Sequence, residues 1–242
     1  TPEGFLPLPV MREYQLPEEG HVWMCGDIRA QEPKLTAHFE NGDFMAMYNQ
    51  DPLADVYVYL MERVRQLTGV SVTRKQAKAI FLGLVYGMGS VKLAAGLGVS
   101  EQEAKVLKNA TMAAMPDVVA LIDECKGRFK CGLPIKTIGG RVVHCEPPTI
   151  KDGIRRSWEY KAINTLIQGS ASDQTKEAVC YMADNSGNPI LTTVHDEIDM
   201  SVPEHEVADT KMLMSKAINA LPCDVPMTME FMVGKNWAEA SK

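Results

Sequence analysis

Stretches in which apolar and polar residues alternate bracket a long middle run where apolar positions recur every three to four residues. The alternating stretches predict strands over 21–27, 189–195, 197–202 and 226–233, with a hairpin over 134–146. The longer period predicts helices over 32–40, 54–67, 74–87, 101–114, 117–130, 156–184 and 205–219. Pro147-Pro148 with Gly153 reads as an ordinary loop, and no repeat or low-complexity segment appears. A few strands flanking a mostly helical insertion point to an α+β fold.

The strand pattern is broken in one informative place, Leu191-Thr-Thr-Val-His-Asp-Glu-Ile-Asp-Met200. There His195, Asp196 and Glu197 interrupt an apolar run that then resumes. A solvated turn between ordinary strands accounts for such a triplet equally well when it is taken alone. Val22-Trp-Met-Cys-Gly-Asp27 is a second apolar strand ending in a carboxylate, and it leads into the helix-like stretch Gln31-Glu-Pro-Lys-Leu-Thr-Ala-His38. Two strands that each deliver an Asp to one sheet edge make a two-metal site geometrically possible, with ions roughly 3.5–4 Å apart.

Between them lies Thr73-Arg-Lys-Gln-Ala-Lys-Ala-Ile-Phe-Leu-Gly-Leu-Val-Tyr-Gly-Met88. Thr73 with Gln76 is a capping box, so the helix should begin near Arg74. Arg74, Lys78, Leu82 and Tyr86 follow at every fourth position and share one face, drifting only about 40° per step. Two cations at the positive end of the helix dipole suit a polyphosphate, and the aromatic lies about 18 Å further on. A plain surface helix also places cations outside and apolar residues inside. It does not explain Gly83 and Gly87, each costing about 1 kcal/mol against Ala, which close approach of another backbone or a base pair would explain.

These three segments, in this order, resemble motifs A, B and C of family A DNA polymerases, the bacterial DNA polymerase I type and its bacteriophage relatives. The resemblance covers nearly the whole chain. Thr1-Pro-Glu-Gly4 is similar to the turn ahead of motif A, and Gly234-Lys-Asn-Trp237 to the family's C-terminal ending. Thr137-Ile-Gly-Gly-Arg141 with Val142-Val-His144 resembles the Gly-Arg segment after the fingers, and Ala162-Ile-Asn-Thr-Leu-Ile-Gln-Gly169 the long palm helix. The implied architecture is an antiparallel palm sheet with a mostly helical fingers insertion: palm over 1–41, fingers over 42–133, palm again over 134–242.

The resemblance also implies roles. Asp27 and Asp196, with the main-chain carbonyl of Ile28, would hold two Mg²⁺ ions, for which Mn²⁺ could substitute, and Glu197 would be a supporting acid. Arg74 and Lys78 would grip the triphosphate, Lys78 also serving as general acid to the leaving pyrophosphate. Glu32 would hydrogen-bond Tyr86 and close off space beneath the sugar 2′ carbon. His195 would contact the primer terminus, and Arg141, Gly87, Asn164 and Gln168 the DNA, the last two through the minor-groove acceptors common to every base pair. Three positions depart from the family: Leu82 where most members carry Phe or Tyr on the incoming sugar, Tyr57 where a phosphate-contacting His is frequent, and Tyr160 in place of an Arg. None removes a metal ligand.

Composition adds limits. The chain has 242 residues, 45% hydrophobic and 23% charged, with no apolar run long enough for a bilayer, so a cytoplasmic protein is expected, in a host cell if viral. A net charge of −6 argues against a general nucleic-acid coat protein but leaves local cations such as Arg63, Arg65, Lys75, Lys126, Arg128, Lys130 and Lys136. Six cysteines, at 25, 125, 131, 145, 180 and 223, form no CxxC pair, so reduced thiols and no zinc site are expected. Only some twenty residues precede Val22, whereas the family carries a thumb, further palm strands and usually an exonuclease there. The expected partners are therefore primer-template DNA, dNTPs and a second polypeptide supplying the thumb and remaining palm, with an exonuclease a further candidate. The expected function is template-directed DNA synthesis by a split, phage-like enzyme. A single-subunit RNA polymerase relative and a non-catalytic polymerase-derived structural subunit are the alternatives; Glu32 and His195-Asp196-Glu197 favour DNA, since the RNA enzymes resemble His-Asp-Ser at motif C.

Overall fold

The computed structural model describes residues 8–151 and 153–241. The elements run α1 (Leu8–Glu13), β1 (His21–Ile28), α2 (Gln31–Glu40), α3 (Asp43–Gln50), α4 (Val56–Thr68), α5 (Arg74–Val85), α6 (Ser90–Leu97), α7 (Glu101–Ala113) and α8 (Pro116–Lys130). They continue with β2 (Ile135–Lys136), β3 (Val142–Val143), β4 (Thr149–Lys151), β5 (Ile154–Arg156), α9 (Ala162–Asn185), β6 (Ile190–Val194), β7 (Glu197–Pro203), α10 (Val207–Ala217) and β8 (Met229–Gly234). The fold is α+β, and its chain divides into two compact units, one holding the stretches up to Gln31 and from Ala171, the other Glu32–Ser170. No helix among the described residues is long and apolar enough to cross a membrane.

The first unit is organised by a four-stranded antiparallel sheet in the order β6-β7-β1-β8. The period of two in a strand gives it two different faces. Met24 and Ile28 of β1 join Ile198, Met200 and Val202 of β7 on one face, buried against Ala178 and Met182 of α9 and Met214 and Ala217 of α10. Each such side chain contributes roughly 1.5–3 kcal/mol on burial. Gly26 leaves room for the side chains of Met214 and Met229, whose tips would have to shift to admit a Cβ. Trp23, Cys25 and Asp27 point to the opposite face with their β7 partners Ser201, Asp199 and Glu197. Part of that face is covered by Trp237, whose ring stacks on Trp23 at 5.8 Å and 11°.

The second unit is mainly helical, and its helix starts carry the signals that local chemistry requires. Asp55 caps α4 by accepting from Tyr57 N and Val58 N, and Ser100 caps α7 by accepting from Glu103 N. Thr73 and Gln76 complete the capping box of α5. Buried Leu60 and Val64 of α4, Ala77, Ile80 and Phe81 of α5, Leu93 of α6 and Ala104 of α7 supply the interior, with Phe81 packed between Phe44 and Tyr57.

Several sequence expectations need correction. α5 ends at Val85, so Gly87 lies beyond the helix, left-handed at φ +68°. A Cβ on Gly87 would come within 2.8 Å of the Tyr160 ring and 3.0 Å of its carbonyl, whereas one on Gly83 would meet only ordinary contacts at 3.5 Å. Helix termination and close approach thus explain Gly87, and the protein's own packing does not explain Gly83. α9 begins at Ala162, after a short 3-10 turn over Glu159–Lys161, and the loop expected around Gly153 contains the β4–β5 hairpin. α1, α3 and α6 are additional helices. The turn formed by the first four residues lies outside the described residues.

Candidate active site

The carboxylate centre belongs to the first unit and is assembled by strand register. β1 and β7 pair antiparallel, with Asp27 opposite Glu197, and one step further Ile28 N donates to the carbonyl of Asp196 at 3.0 Å. Asp196 therefore sits in the two-residue connection from β6 to β7 while hydrogen-bonded to the end of β1. His195, the first residue of that connection, is exposed and has φ +58°, a left-handed conformation that tight hairpin connections use and that His adopts more readily than most non-glycine residues. Asp27, Asp196 and Glu197 are all half-buried. Glu197 is anchored from the side: its Oε1 accepts from Trp237 Nε1 at 3.1 Å. Arg29, just after β1, pairs with Glu230 at 2.9 Å. Aspartate carboxylates and a main-chain carbonyl are hard oxygen donors of the kind that suit Mg²⁺ or Mn²⁺.

The cation row belongs to the second unit. Arg74 and Lys78 are exposed on α5, with Leu82 and Tyr86 half-buried along the same face, while Ala77, Ile80 and Phe81 are buried. Arg74 is the most constrained of them. Its Nε donates to Asp55 Oδ2 at 2.7 Å, a second guanidinium nitrogen lies 2.6 Å from the same oxygen, and its guanidinium carbon stands 5.5 Å from the centre of the Tyr57 ring. Lys78 Nζ stands 5.9 Å from that same ring, so one aromatic ring serves both cations. Burial opposes ionisation of Asp55, yet Arg74 and the first amides of α4 hold its carboxyl below the usual carboxylate range. Tyr57 has the opposite fate, its hydroxyl pushed up to about 12 by burial and by the nearby Glu32 and Asp55 charges.

Tyr86 Oη donates to Glu32 Oε2 at 2.7 Å, the pairing that the family resemblance implies. Burial and this bond push the Tyr86 hydroxyl up to about 12, so it stays a donor at neutral pH. Gln168 is exposed and its amide lies beside the Tyr86 hydroxyl. Asn164, one turn earlier on α9, is half-buried, and its Oδ1 has no hydrogen-bond partner. Arg141 donates to the carbonyl of Gly169 at 2.8 Å, which ties the β2–β3 hairpin to the same helix. Gly87, packed under Tyr160, completes this group.

Two cations from the basic clusters have structural employment: Arg63 bonds Tyr59 and pairs with Asp43, and Arg128 donates twice to the carbonyl of Pro134. Sequence reasoning missed Asp55 as the partner of Arg74, although its place as a helix cap two residues before Tyr57 was available as a signal. It also missed Cys25, Asp199 and the Trp23–Trp237 stack, which only strand pairing brings together.

The chain is similar to known DNA polymerases. The model of DNA polymerase family A matches residues 9–239. A DNA-directed DNA polymerase of Pseudomonas phage M6 is 30% identical over 95% of this chain and 40% of its own length, and the thermostable DNA polymerase I of Thermus filiformis is 27% identical over 96% of this chain and 29% of its own. The polymerase domain of Pol1 from M. smegmatis, solved with DNA primer-template and dNTP, superposes with a TM-score of 0.83 at 27% identity, covering 97% of this chain and 43% of that one. The chain thus spans less than half the length of each of these relatives. With its strand-borne carboxylates, its capped cation helix and a family match over nearly all its residues, this chain belongs to DNA polymerase family A.

Proposed function

We propose that this chain is the palm-and-fingers portion of a template-directed DNA polymerase, transferring a nucleotide from a dNTP to a primer 3′-hydroxyl. The observation that carries this reading is the β1–β7 register, which sets Asp27 and the Asp196 turn side by side at one edge of the sheet. Asp27, Asp196 and the Ile28 carbonyl would hold two Mg²⁺ ions, with Mn²⁺ as a substitute, and Glu197, fixed by Trp237, would support them. When bound, such ions lower the pKa of the attacking hydroxyl and neutralise charge on the transferring phosphoryl group.

The remaining work falls to side chains. Arg74 and Lys78 bind the triphosphate, and as the bond from the α-phosphorus to pyrophosphate breaks, Lys78 Nζ donates a proton to the leaving oxygen. Leu82 packs on the incoming sugar. Glu32, held by Tyr86, fills the space a 2′-hydroxyl would need, and this pairing favours a DNA over an RNA polymerase. His195 meets the primer end; Arg141, Gly87, Asn164 and Gln168 follow the duplex. Palm segments over 1–41 and 134–242 with fingers over 42–133 form part of the proposal, as does a second polypeptide that supplies a thumb and extends the sheet, whose outer strands among the described residues are β6 and β8.

Primer extension by this chain, with and without a polypeptide carrying a thumb, tests the reading. Template-dependent incorporation of dNTPs in preference to rNTPs is expected, strengthened by the thumb. A preference for rNTPs, or no incorporation under either condition, contradicts it.

A further inference from the structure

Behind the proposed catalytic edge, the polar face of the sheet holds a cluster of which the reading above uses only Glu197, as a supporting acid, and leaves Cys25 and Asp199 without a task. Cys25 and Asp199 face each other across the β1–β7 pair, one register step of two residues from Asp27 and Glu197. One ligand atom from each of Cys25, Glu197 and Asp199 lies within 4.8 Å of the other two. Cys25 and Asp199 are fully buried. Trp23 Nε1 donates to Asp199 Oδ1 at 2.8 Å, and Oδ2, equally buried, has no partner outside the cluster, only the Glu197 and Cys25 side chains beside it. Neither carboxylate pairs with a lysine or arginine among the described residues. Two acids and a thiol gathered out of water with no cation among them cost free energy unless they share a proton or an ion.

We propose that Cys25, Glu197 and Asp199 form a binding site for a thiophilic divalent cation of the zinc class, which clamps β1 to β7 behind the carboxylate centre. One soft sulfur with two carboxylate oxygens selects zinc or cobalt over Mg²⁺, which takes oxygen donors. A sulfur and an oxygen on one tetrahedral zinc stand about 3.6 Å apart, from bond lengths of about 2.3 and 2.1 Å. Small rotations of the two acid side chains close the difference from the observed spread. Half-buried Glu197 is the entry side. Binding displaces the thiol proton to solvent and forms a metal–thiolate bond, so the ion, the thiolate and the two carboxylates leave the cluster with a single negative charge. Cys25 and Glu197 lie 172 residues apart in the chain, which is why no spacing motif announces the ligands.

The inference stands apart from the polymerase reading and is tested without an activity assay. Co²⁺ titrated into the full chain, after removal of bound metal with a chelator, should give a near-ultraviolet thiolate-to-cobalt charge-transfer band saturating at one equivalent and displaced by Zn²⁺. Cys25→Ser should abolish the band, and Asp199→Asn should weaken Co²⁺ affinity at least about tenfold. Zn²⁺ should raise Tm of the wild type and not of Cys25→Ser, a comparison that also shows whether the variant folds. Asp27→Ala and Asp196→Ala should leave the band in place. A band that survives Cys25→Ser, an unchanged Co²⁺ affinity in Asp199→Asn, or no band in the wild type overturns the proposal, and loss of the band in Asp27→Ala or Asp196→Ala would assign the cation to the catalytic edge instead.

Discussion

In the first unit, Asp27 and Asp196 come from segments near opposite ends of the chain, and only the register of β1 against β7 brings them together. In the second unit, Arg74, Lys78 and Leu82 lie on one helix and Tyr86 caps its end, so local periodicity alone aligns them. The contrast predicts different responses to damage. A one-residue slip in β7 would turn its entire polar set to the other face, so the strand-built centre should fail all at once. The helix-built row tolerates loss of one member, because its neighbours stay where the helix puts them. Support differs as well: Glu197 is anchored by a stacked indole, whereas Arg74 is held by an exposed ion pair.

The largest expected effect comes from the strand side. Asp27→Ala should lower the single-turnover rate of nucleotide addition by at least about 10²-fold while duplex binding and Tm stay near wild type, because the carboxylate serves charge developing in the transition state. A rate within about threefold of wild type, a loss of only about 0.6 kcal/mol, would remove Asp27 from the centre.

On the helix side the losses should divide. Lys78→Ala is expected to slow chemistry by about 10²-fold with little change in dNTP binding, and Arg74→Ala to weaken dNTP binding by about tenfold or more with a smaller loss in rate. Single-turnover kinetics over a range of dNTP concentrations separate the two; the reverse division would mean that the triphosphate lies along α5 in the opposite direction.

Leu82→Tyr should be milder and favourable. A phenolic hydroxyl beside the sugar can replace the hydrogen bond that a missing 3′-hydroxyl leaves unmade, so kcat/KM for a dideoxynucleotide relative to the normal dNTP should rise up to about tenfold. An unchanged ratio would show that Leu82 does not face the sugar.

The smallest effect concerns the support of Arg74. Asp55→Asn keeps a capping side chain for α4 but removes the charge opposite Arg74. Because Arg74 holds the folded-state pKa of Asp55 below its unfolded value, the pair stabilises the protein above the unfolded pKa, and that contribution is lost as pH falls through the folded one. The variant should therefore be less stable at neutral pH by up to about 1 kcal/mol, and the difference should close on acidification below the ordinary Asp range. Urea denaturation at neutral and acid pH checks this; a difference that grows toward low pH would contradict the sign.

The same contrast decides what could be read from the sequence. The α5 row was legible because Thr73, Gln76 and the four-residue spacing lie within one short segment, and the Asp27 and Asp196 strands were legible because a carboxylate interrupts an apolar run. α3 was not, since its first amides are satisfied by Glu40 Oε1 from the preceding helix instead of a local Ser, Thr, Asp or Asn. Gly87 was assigned to the helix because a left-handed terminator and an interior glycine look identical in one dimension. The Cys25–Glu197–Asp199 cluster and the Asp55–Arg74 pair exist only once β1 meets β7 and α4 meets α5. Long-range pairing creates them; the cap at Asp55 marks one partner of the second pair, and nothing local marks the first.

That Asp27 and Asp196 act as one centre is tested most directly by the single-turnover rate of correct dNTP addition in Mg²⁺, at saturating dNTP, for Asp27→Ala, Asp196→Ala and the double variant. Groups that work as a unit lose nearly everything with the first removal, so all three rates should be equally low and none should recover with more dNTP. An Asp196→Ala enzyme within about tenfold of wild type, or losses that multiply in the double variant, would contradict it.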